Sequence, residues 1–156
     1  MSILFETERC RIRPFEESDI EAFMLYRNNL EWMRYQGFKG KKYLEYKAAL
    51  LMKPKFQDGV QLAVVGKQTG ELIGDLYLKL EKNTGWIGYT IAPRFARQGF
   101  AFEVATQLLL ELHQAGLVLV KAGVEEQNIA SIQLLKKLGF DAIGVDGSEL
   151  IFQREL

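Results

Sequence analysis

The chain has 156 residues, enough for a sizeable core, and its 48% hydrophobic and 26% charged content is ordinary for a globular protein. Twenty basic and twenty acidic side chains cancel, so no global charge points to nucleic acid or to a membrane surface. One cysteine, Cys10, excludes an internal disulfide, and with one histidine, His113, it argues against a bound metal and for a reducing, cytoplasmic setting.

No apolar run reaches the length of a spanning helix, and the opening MSILFETERC lacks the basic-then-apolar layout of a secretory leader. Residues 3–6 and 9–14 predict short strands. In the second, Arg9, Arg11 and Arg13 alternate with Cys10 and Ile12, giving one basic and one apolar face. Cys10 therefore reads as a buried thiol, not a nucleophile. Ser18 and Glu21 form a Ser-x-x-Glu capping box that predicts a helix start. Ile20, Phe23, Met24 and either Tyr26 or Arg27 supply its apolar stripe, which fades at Asn28-Asn29. A second helix is predicted over 41–52, where Tyr43, Leu44, Lys47, Leu50 and Leu51 recur at helical spacing. Pro54 and Asp58-Gly59 close it.

Strands are predicted over 60–66, 71–81 and 85–91, with turns at Gln68-Thr69-Gly70 and Asn83-Thr84-Gly85, as in an antiparallel meander. A loop carrying Arg97, Gln98 and Gly99 leads into a long helix over 100–115 that ends at Gly116. LVLVKAGV (117–124) predicts a strand covered on both faces. A helix over 128–138 stops at Gly139, and strands over 140–145 and 149–154 finish the chain. Without repeat, linker or low-complexity segment, residues 1–156 read as a single domain. Strand, helix and strand across 85–124 imply a parallel crossover in an otherwise antiparallel sheet. The expected class is α/β (α+β), a mixed, mostly antiparallel central sheet with helices on both faces.

The strand before Pro93, the glycine loop and the helix N-terminus together make a socket for anionic oxygens. Several N–H groups converge there without partners, and the helix dipole favours negative charge. This points to a phosphate-bearing ligand, with a plain turn as the alternative reading. The loop is neither a Walker loop nor a dinucleotide fingerprint.

Four segments carry a resemblance: TERCRIRPF (7–15) followed by Asp19, WIGYTIAP (86–93), ARQGFAFEV (96–104) and NIASIQLLKKLGF (128–140). In this order they resemble the GNAT N-acetyltransferase superfamily, and within it the ribosomal-protein alanine N-acetyltransferase (RimJ/RimL-type) branch. The resemblance implies the acyl-CoA N-acyltransferase fold, acetyl-CoA as co-substrate, no metal, and transfer of the acetyl group to an amine. It assigns the pyrophosphate to the backbone amides of Arg97, Gln98, Gly99, Phe100 and Ala101. It pairs the pantetheine arm with the strand near Ile91 and Ala92. Asn128 matches a residue whose side chain contacts the cofactor. Ser131 matches a serine acting near the thiol and is the candidate acid, with local helix capping as its other role. The chain departs from the family at three places: Ala96 stands where the loop usually opens with Gln or Arg, Trp86 where many members carry a glutamate base, and Leu135 where many carry a tyrosine acid.

Attack on a thioester requires a neutral amine. An α-amino group with a pKa of about 7.7–8 is roughly a tenth neutral at pH 7, a lysine near ~10.4 far less so. A site without an evident carboxylate base suits the α-amine better. Asp75 and Glu126 are spare base candidates, and His113, at the far end of its helix, is assigned no chemistry. The acceptor pocket is expected from residues 28–46. There Trp32, Tyr35, Tyr43 and Tyr46 read mainly as packing residues. Lys39, Lys41 and Lys42 either attract an acidic group or form a solvated face.

The expected function is direct N-acetyl transfer to a small molecule or a protein N-terminus. Ala96, Trp86 and Leu135 motivate the alternative of a non-catalytic acyl-CoA-binding or sensor domain. A third reading, a small nucleotide-binding module, is opposed by the Asn128 segment. No nucleic-acid or membrane partner is expected, and the final strands leave monomer and homodimer both open.

Overall fold

Alternation of apolar and polar residues builds the middle of the fold. The computed structural model describes residues 4–53 and 55–156, so the expected strand start at Ile3 and the stop at Pro54 lie outside the described residues. In chain order the elements are β1 (Phe5–Glu6), β2 (Cys10–Arg13), α1 (Ile20–Arg27), α2 (Tyr43–Leu50), β3 (Val60–Gly66), β4 (Leu72–Glu81), β5 (Thr84–Ile91), α3 (Phe100–Gln114), β6 (Leu119–Glu125), α4 (Ile129–Lys137), β7 (Asp141–Asp146) and β8 (Glu149–Glu155). The strands form one sheet in the order β1-β2-β3-β4-β5-β6-β8-β7. Neighbours are antiparallel throughout except β5 and β6, which are parallel and joined by the α3 crossover. The expected class and element order are both observed.

Two apolar clusters flank the sheet. Leu62 and Val64 of β3 face Val104, Leu108 and Leu112 of α3, with Leu135 of α4 in the same cluster. Ala63 and Val65, one residue out of phase, face Phe23, Tyr26, Met33 and Tyr46 from α1, α2 and their connection. Each fully buried large side chain contributes on the order of 1.5–3 kcal/mol.

Several local expectations are corrected. The start of α1 is not capped by Ser18, which lies in a short 3-10 turn over Glu17–Asp19. Asp19 instead accepts the Glu16 N–H at 2.8 Å and an Arg13 bond at 2.7 Å, moving the cap two residues back. On α2, Tyr46 and Leu50 are the buried residues, while Leu44 is 73% exposed, so the inward face differs from the expected one. The β4–β5 turn lies at Lys82-Asn83, with Thr84 and Gly85 already in β5. Strand β6 buries Val120, Ala122 and Val124 but leaves Leu119, Lys121 and Gly123 partly or fully open, so only one face is covered.

Both helix stops agree with the sequence. At the end of α3, Leu117 N–H reaches Leu112 C=O at 3.1 Å and Gly116 N–H reaches His113 C=O at 3.0 Å. At the end of α4, Phe140 and Gly139 make the same pair of bonds to Leu135 and Lys136. Gly116 and Gly139 sit at φ 92° and φ 87°, the left-handed conformation this closure requires.

Candidate active site

Strands β5 and β6 pair only at their starts, Thr84 with Leu119, Gly85 with Val120 and Trp86 with Lys121. Beyond that they part, and β5 runs on to Ile91 with no strand beside it on that side among the described residues. Ala92 N–H donates to Ile73 C=O on β4 at 2.8 Å, and Ala92 C=O accepts from Phe95 N–H at 2.9 Å. By strand alternation the backbone groups of Ile87, Tyr89 and Ile91 therefore face the opening. Ile91 stands at this cleft. Ala92 does not offer it a backbone group, since both of its own are already paired.

The loop follows at the C-terminal end of β5. Pro93–Phe95 make a 3-10 turn, Arg97 and Gly99 take φ 61° and φ 81°, and α3 begins at Phe100. The first helical bond is Glu103 N–H to Gly99 C=O at 3.0 Å. Among the described residues, the N–H groups of Arg97, Gln98 and Gly99 find no protein acceptor, and those of Phe100 and Ala101 lie in the open first turn of α3. Arg97 and Gly99, both left-handed, turn the chain sharply into the open helix start, a setting in which backbone N–H groups can serve an anion. The Arg97 side chain is exposed.

Across the cleft, α4 starts at Asn128, whose Oδ1 accepts the Ser131 N–H at 3.3 Å. Ser131 Oγ lies 3.1 Å from the Tyr89 hydroxyl, linking α4 to β5. Burial pushes the Tyr89 phenol above its ordinary range, with the Ser131 hydrogen bond acting in the opposite direction. Tyr89 was missed in the sequence, although it stands inside the quoted WIGYTIAP run. No local pattern ties it to a serine 42 residues away. Leu135 is 1% exposed and belongs to the apolar core, so the position that the resemblance matched to a tyrosine acid is a packing position here. The phenol beside Ser131 comes from the strand instead.

The acid–base candidates separate. Asp75 is buried in an ion pair with Arg27 (2.6 Å) and accepts the Tyr26 hydroxyl. Burial raises its carboxyl above the ordinary range, with Arg27 and Tyr26 opposing. Arg27 also donates to Gly37 C=O at 3.1 Å, and Thr90 on β5 bonds Gln36. This network ties α1, β4 and the α1–α2 connection together and leaves Asp75 no open path to a substrate. Glu126 is exposed at the turn after β6, and His113 is exposed at the last turn of α3, roughly 20 Å from the loop by helix rise. Burial also raises the Cys10 thiol, as its inert position in the core predicts. Trp86 sits at the paired end of β5 with Lys121 over its ring at 5.7 Å.

Trp32, expected to be a packing residue, is 38% exposed and donates its indole N–H to Ile91 C=O at 2.9 Å. Lys39 turns inward to Met33 C=O at 2.8 Å. Tyr46 is fully buried, with its hydroxyl donating to Asn28 Oδ1 at 2.6 Å. Among the described residues no group of three His, Cys, Asp or Glu side chains is placed to hold a metal, and no helix is long and apolar enough to cross a membrane.

A mixed sheet whose one parallel pair splays apart beside a glycine loop at a helix N-terminus defines the acyl-CoA acyltransferase class of fold. The acetyltransferase (GNAT) domain family matches residues 9–141. An uncharacterized N-acetyltransferase, YoaA of Bacillus subtilis, is 31% identical over 150 residues, 91% of this chain and 85% of its own. The chain belongs to the GNAT acetyltransferase family. A GNAT acetyltransferase from Bacillus anthracis shares the fold with a TM-score of 0.86 at 20% identity, covering 98% of each chain. RimL, a ribosomal L7/L12 α-N-protein acetyltransferase in complex with coenzyme A, gives a TM-score of 0.84 at 14% identity over 99% of this chain and 98% of its own.

Proposed function

We propose that this acetyltransferase moves the acetyl group of acetyl-CoA directly to an α-amine, on a peptide or protein N-terminus or on a small molecule. The observation that carries this is the free edge of β5 ending at a loop whose N–H groups have no protein acceptor. The donor fits the residues present. Amides of Arg97, Gln98, Gly99, Phe100 and Ala101 would hold the diphosphate, and the cleft-facing backbone of Tyr89 with the N–H of Ile91, whose C=O already accepts the Trp32 indole, would pair with the pantetheine arm. Asn128, which caps α4 through Oδ1, keeps its Nδ2 for the coenzyme.

In the transfer, the amine nitrogen forms a bond to the thioester carbonyl carbon and the C–S bond breaks. The nitrogen loses a proton to solvent, and the leaving sulfur takes one up. A thiol with a pKa near ~8.5 departs with hydrogen-bond help alone, which the Ser131–Tyr89 hydroxyl pair supplies. With Asp75 sealed and Glu126 solvated, the site has no strong base, and this favours an acceptor already partly neutral near pH 7. RimL, acting on the α-amine of a ribosomal protein, supports the same acceptor class.

The test is release of free coenzyme thiol across a panel of amines, including peptides with free and with blocked N-termini. The reading expects release that depends on a free α-amine. Coenzyme binding without any amine-dependent release overturns it.

A further inference from the structure

The basic face of β2 leads to a residue that the reaction itself does not use. Arg9 holds the glycine loop from outside. Its Nη2 donates to Gln98 C=O at 2.9 Å, its Nε to Glu103 Oε1 at 2.6 Å, and its backbone N–H to Glu103 Oε2 at 2.9 Å. Thr7 adds a bond to the same Oε2 at 2.5 Å, and the guanidinium lies 4.0 Å from the centre of the Phe100 ring. The grip is anchored, because Arg9 C=O accepts the Lys67 N–H of the β3–β4 turn at 2.9 Å. One side chain thus touches the residues before and after Gly99 and the first turn of α3.

We infer that Arg9 is the positioning residue of the donor loop, setting the direction of its N–H groups without contacting the donor; this rests on the loop's proposed role as the diphosphate cradle. A trans peptide points its C=O and the following N–H in opposite directions. With Gln98 C=O drawn to Arg9, Gly99 N–H is held on the other side of the loop. Arg97, a non-glycine residue at φ 61°, lies in a sparsely populated region, and Gly99 at φ 81° is free to adopt other conformations without such a hold. Charge attraction is a poor account of Arg9, since its guanidinium is matched by Glu103 at 2.6 Å. What it contributes is a planar fork spanning a carbonyl and a carboxylate, which a lysine cannot reproduce.

The experiment is calorimetric titration of coenzyme A into wild type, Arg9→Ala and Arg9→Lys, well below each protein's melting temperature, with steady-state rates on acetyl-CoA and on acetyl-pantetheine, which lacks the diphosphate. Arg9→Ala and Arg9→Lys are both expected to lose about tenfold in coenzyme affinity, the scale of one charge-assisted hydrogen bond. Their KM for acetyl-CoA rises with kcat little changed, and their rates on acetyl-pantetheine match wild type. A merely structural role would lower the melting temperature without this split between donors. Arg9→Lys binding like wild type overturns the inference in favour of simple charge, and Arg9→Ala binding like wild type overturns it outright. Should Arg9→Ala fail to fold, Arg9→Lys and the donor comparison still decide. Wild type that fails to bind coenzyme A sinks the donor reading itself, a result distinct from either.

Discussion

The Tyr89 and Ser131 hydroxyls lie 3.1 Å apart and join the free end of β5 to the first turn of α4. Both residues are half-buried, on the wall where the parallel strands part. If the pair donates to the departing sulfur, removing either hydroxyl breaks the same chain. Ser131→Ala and Tyr89→Phe should each lower kcat about tenfold, the scale of one lost hydrogen bond in the transition state. Coenzyme affinity should be nearly unchanged, and the double variant should be scarcely worse than either single one. Unaltered turnover in Ser131→Ala would remove it from the mechanism.

The pH profile separates this hydrogen-bonding role from proton abstraction. Burial raises the Tyr89 phenol above its ordinary value of 10.0, so it stays protonated and able to donate across the neutral range. The rising limb of kcat/KM then belongs to the acceptor, with a midpoint of about 7.7–8 for an α-amine. Tyr89→Phe should lower the whole profile without shifting that limb. A limb that moves when Tyr89 is replaced would make the phenol the titrating group and contradict this assignment.

Loop variants test whether backbone or side chain grips the donor. Gln98→Pro deletes one N–H and disfavours the left-handed conformation of Arg97 before it. Gly99→Val forces a branched side chain into φ 81°, a strain of at least about 1–2 kcal/mol. A Cβ at Gly99 would meet nothing closer than Arg9 Nη2 at 3.6 Å, so the penalty lies in the backbone and not in a clash. Titration with coenzyme should show both variants weakened far more than Arg97→Ala, whose exposed side chain adds little. Arg97→Ala as the worst of the three would reverse the account.

The acid limb of stability should carry the mark of Glu103. Against a burial penalty that would raise it, hydrogen bonds from Thr7 and the Arg9 backbone, together with the Arg9 side chain, hold this carboxyl below its ordinary value of 4.5. A folded pKa below the unfolded one means the contribution is complete above that value and lost as pH falls through the folded pKa. Urea midpoints of wild type should therefore drop on acidification below about pH 4.5 more steeply than those of Glu103→Gln. Parallel curves for the two proteins would show that the Thr7–Arg9–Glu103 latch adds no pH-dependent stability.

Local geometry was legible in the sequence, and contacts across the chain were not. The meander, the crossover and both glycine helix stops follow from short patterns that encode their own hydrogen bonds, as at Gly116 and Gly139. The inward face of α2 was misread because Leu44, Tyr46 and Leu50, with Leu51 just past its end, spread apolar groups around an eight-residue helix, and packing on Phe23 and Phe38 selects Tyr46. The cap was placed at Ser18 and not at Glu16 because the Asp19 carboxylate that accepts the Glu16 N–H is held by Arg13 of β2, a contact that no local pattern shows. Of the site, the loop was readable as a strand–glycine–helix junction. Tyr89 with Ser131 and Arg9 with Glu103 were not, since their separations of 42 and 94 residues are bridged only once the sheet register is set.

Asp75 is the sharpest case of a chemically tempting residue with a structural role. Its carboxylate accepts from Arg27 and Tyr26 inside a sealed space between α1 and β4. Removing one partner of such a buried pair leaves the other charge uncompensated, at a cost of about 3–5 kcal/mol. Asp75→Ala should therefore lower the unfolding free energy by that order, read from urea denaturation. Asp75→Asn, which keeps the shape and one acceptor oxygen, should lose part of it. Because Arg27 also holds Gly37 C=O, the α1–α2 connection should exchange its amide protons faster in both variants. A general base would behave differently: Asp75→Asn would keep its fold but lose kcat by about 10²–10⁴. Assayed where it remains folded, Asp75→Asn is expected to turn over within a few-fold of wild type, and a collapse of kcat with unchanged stability would return Asp75 to the chemistry.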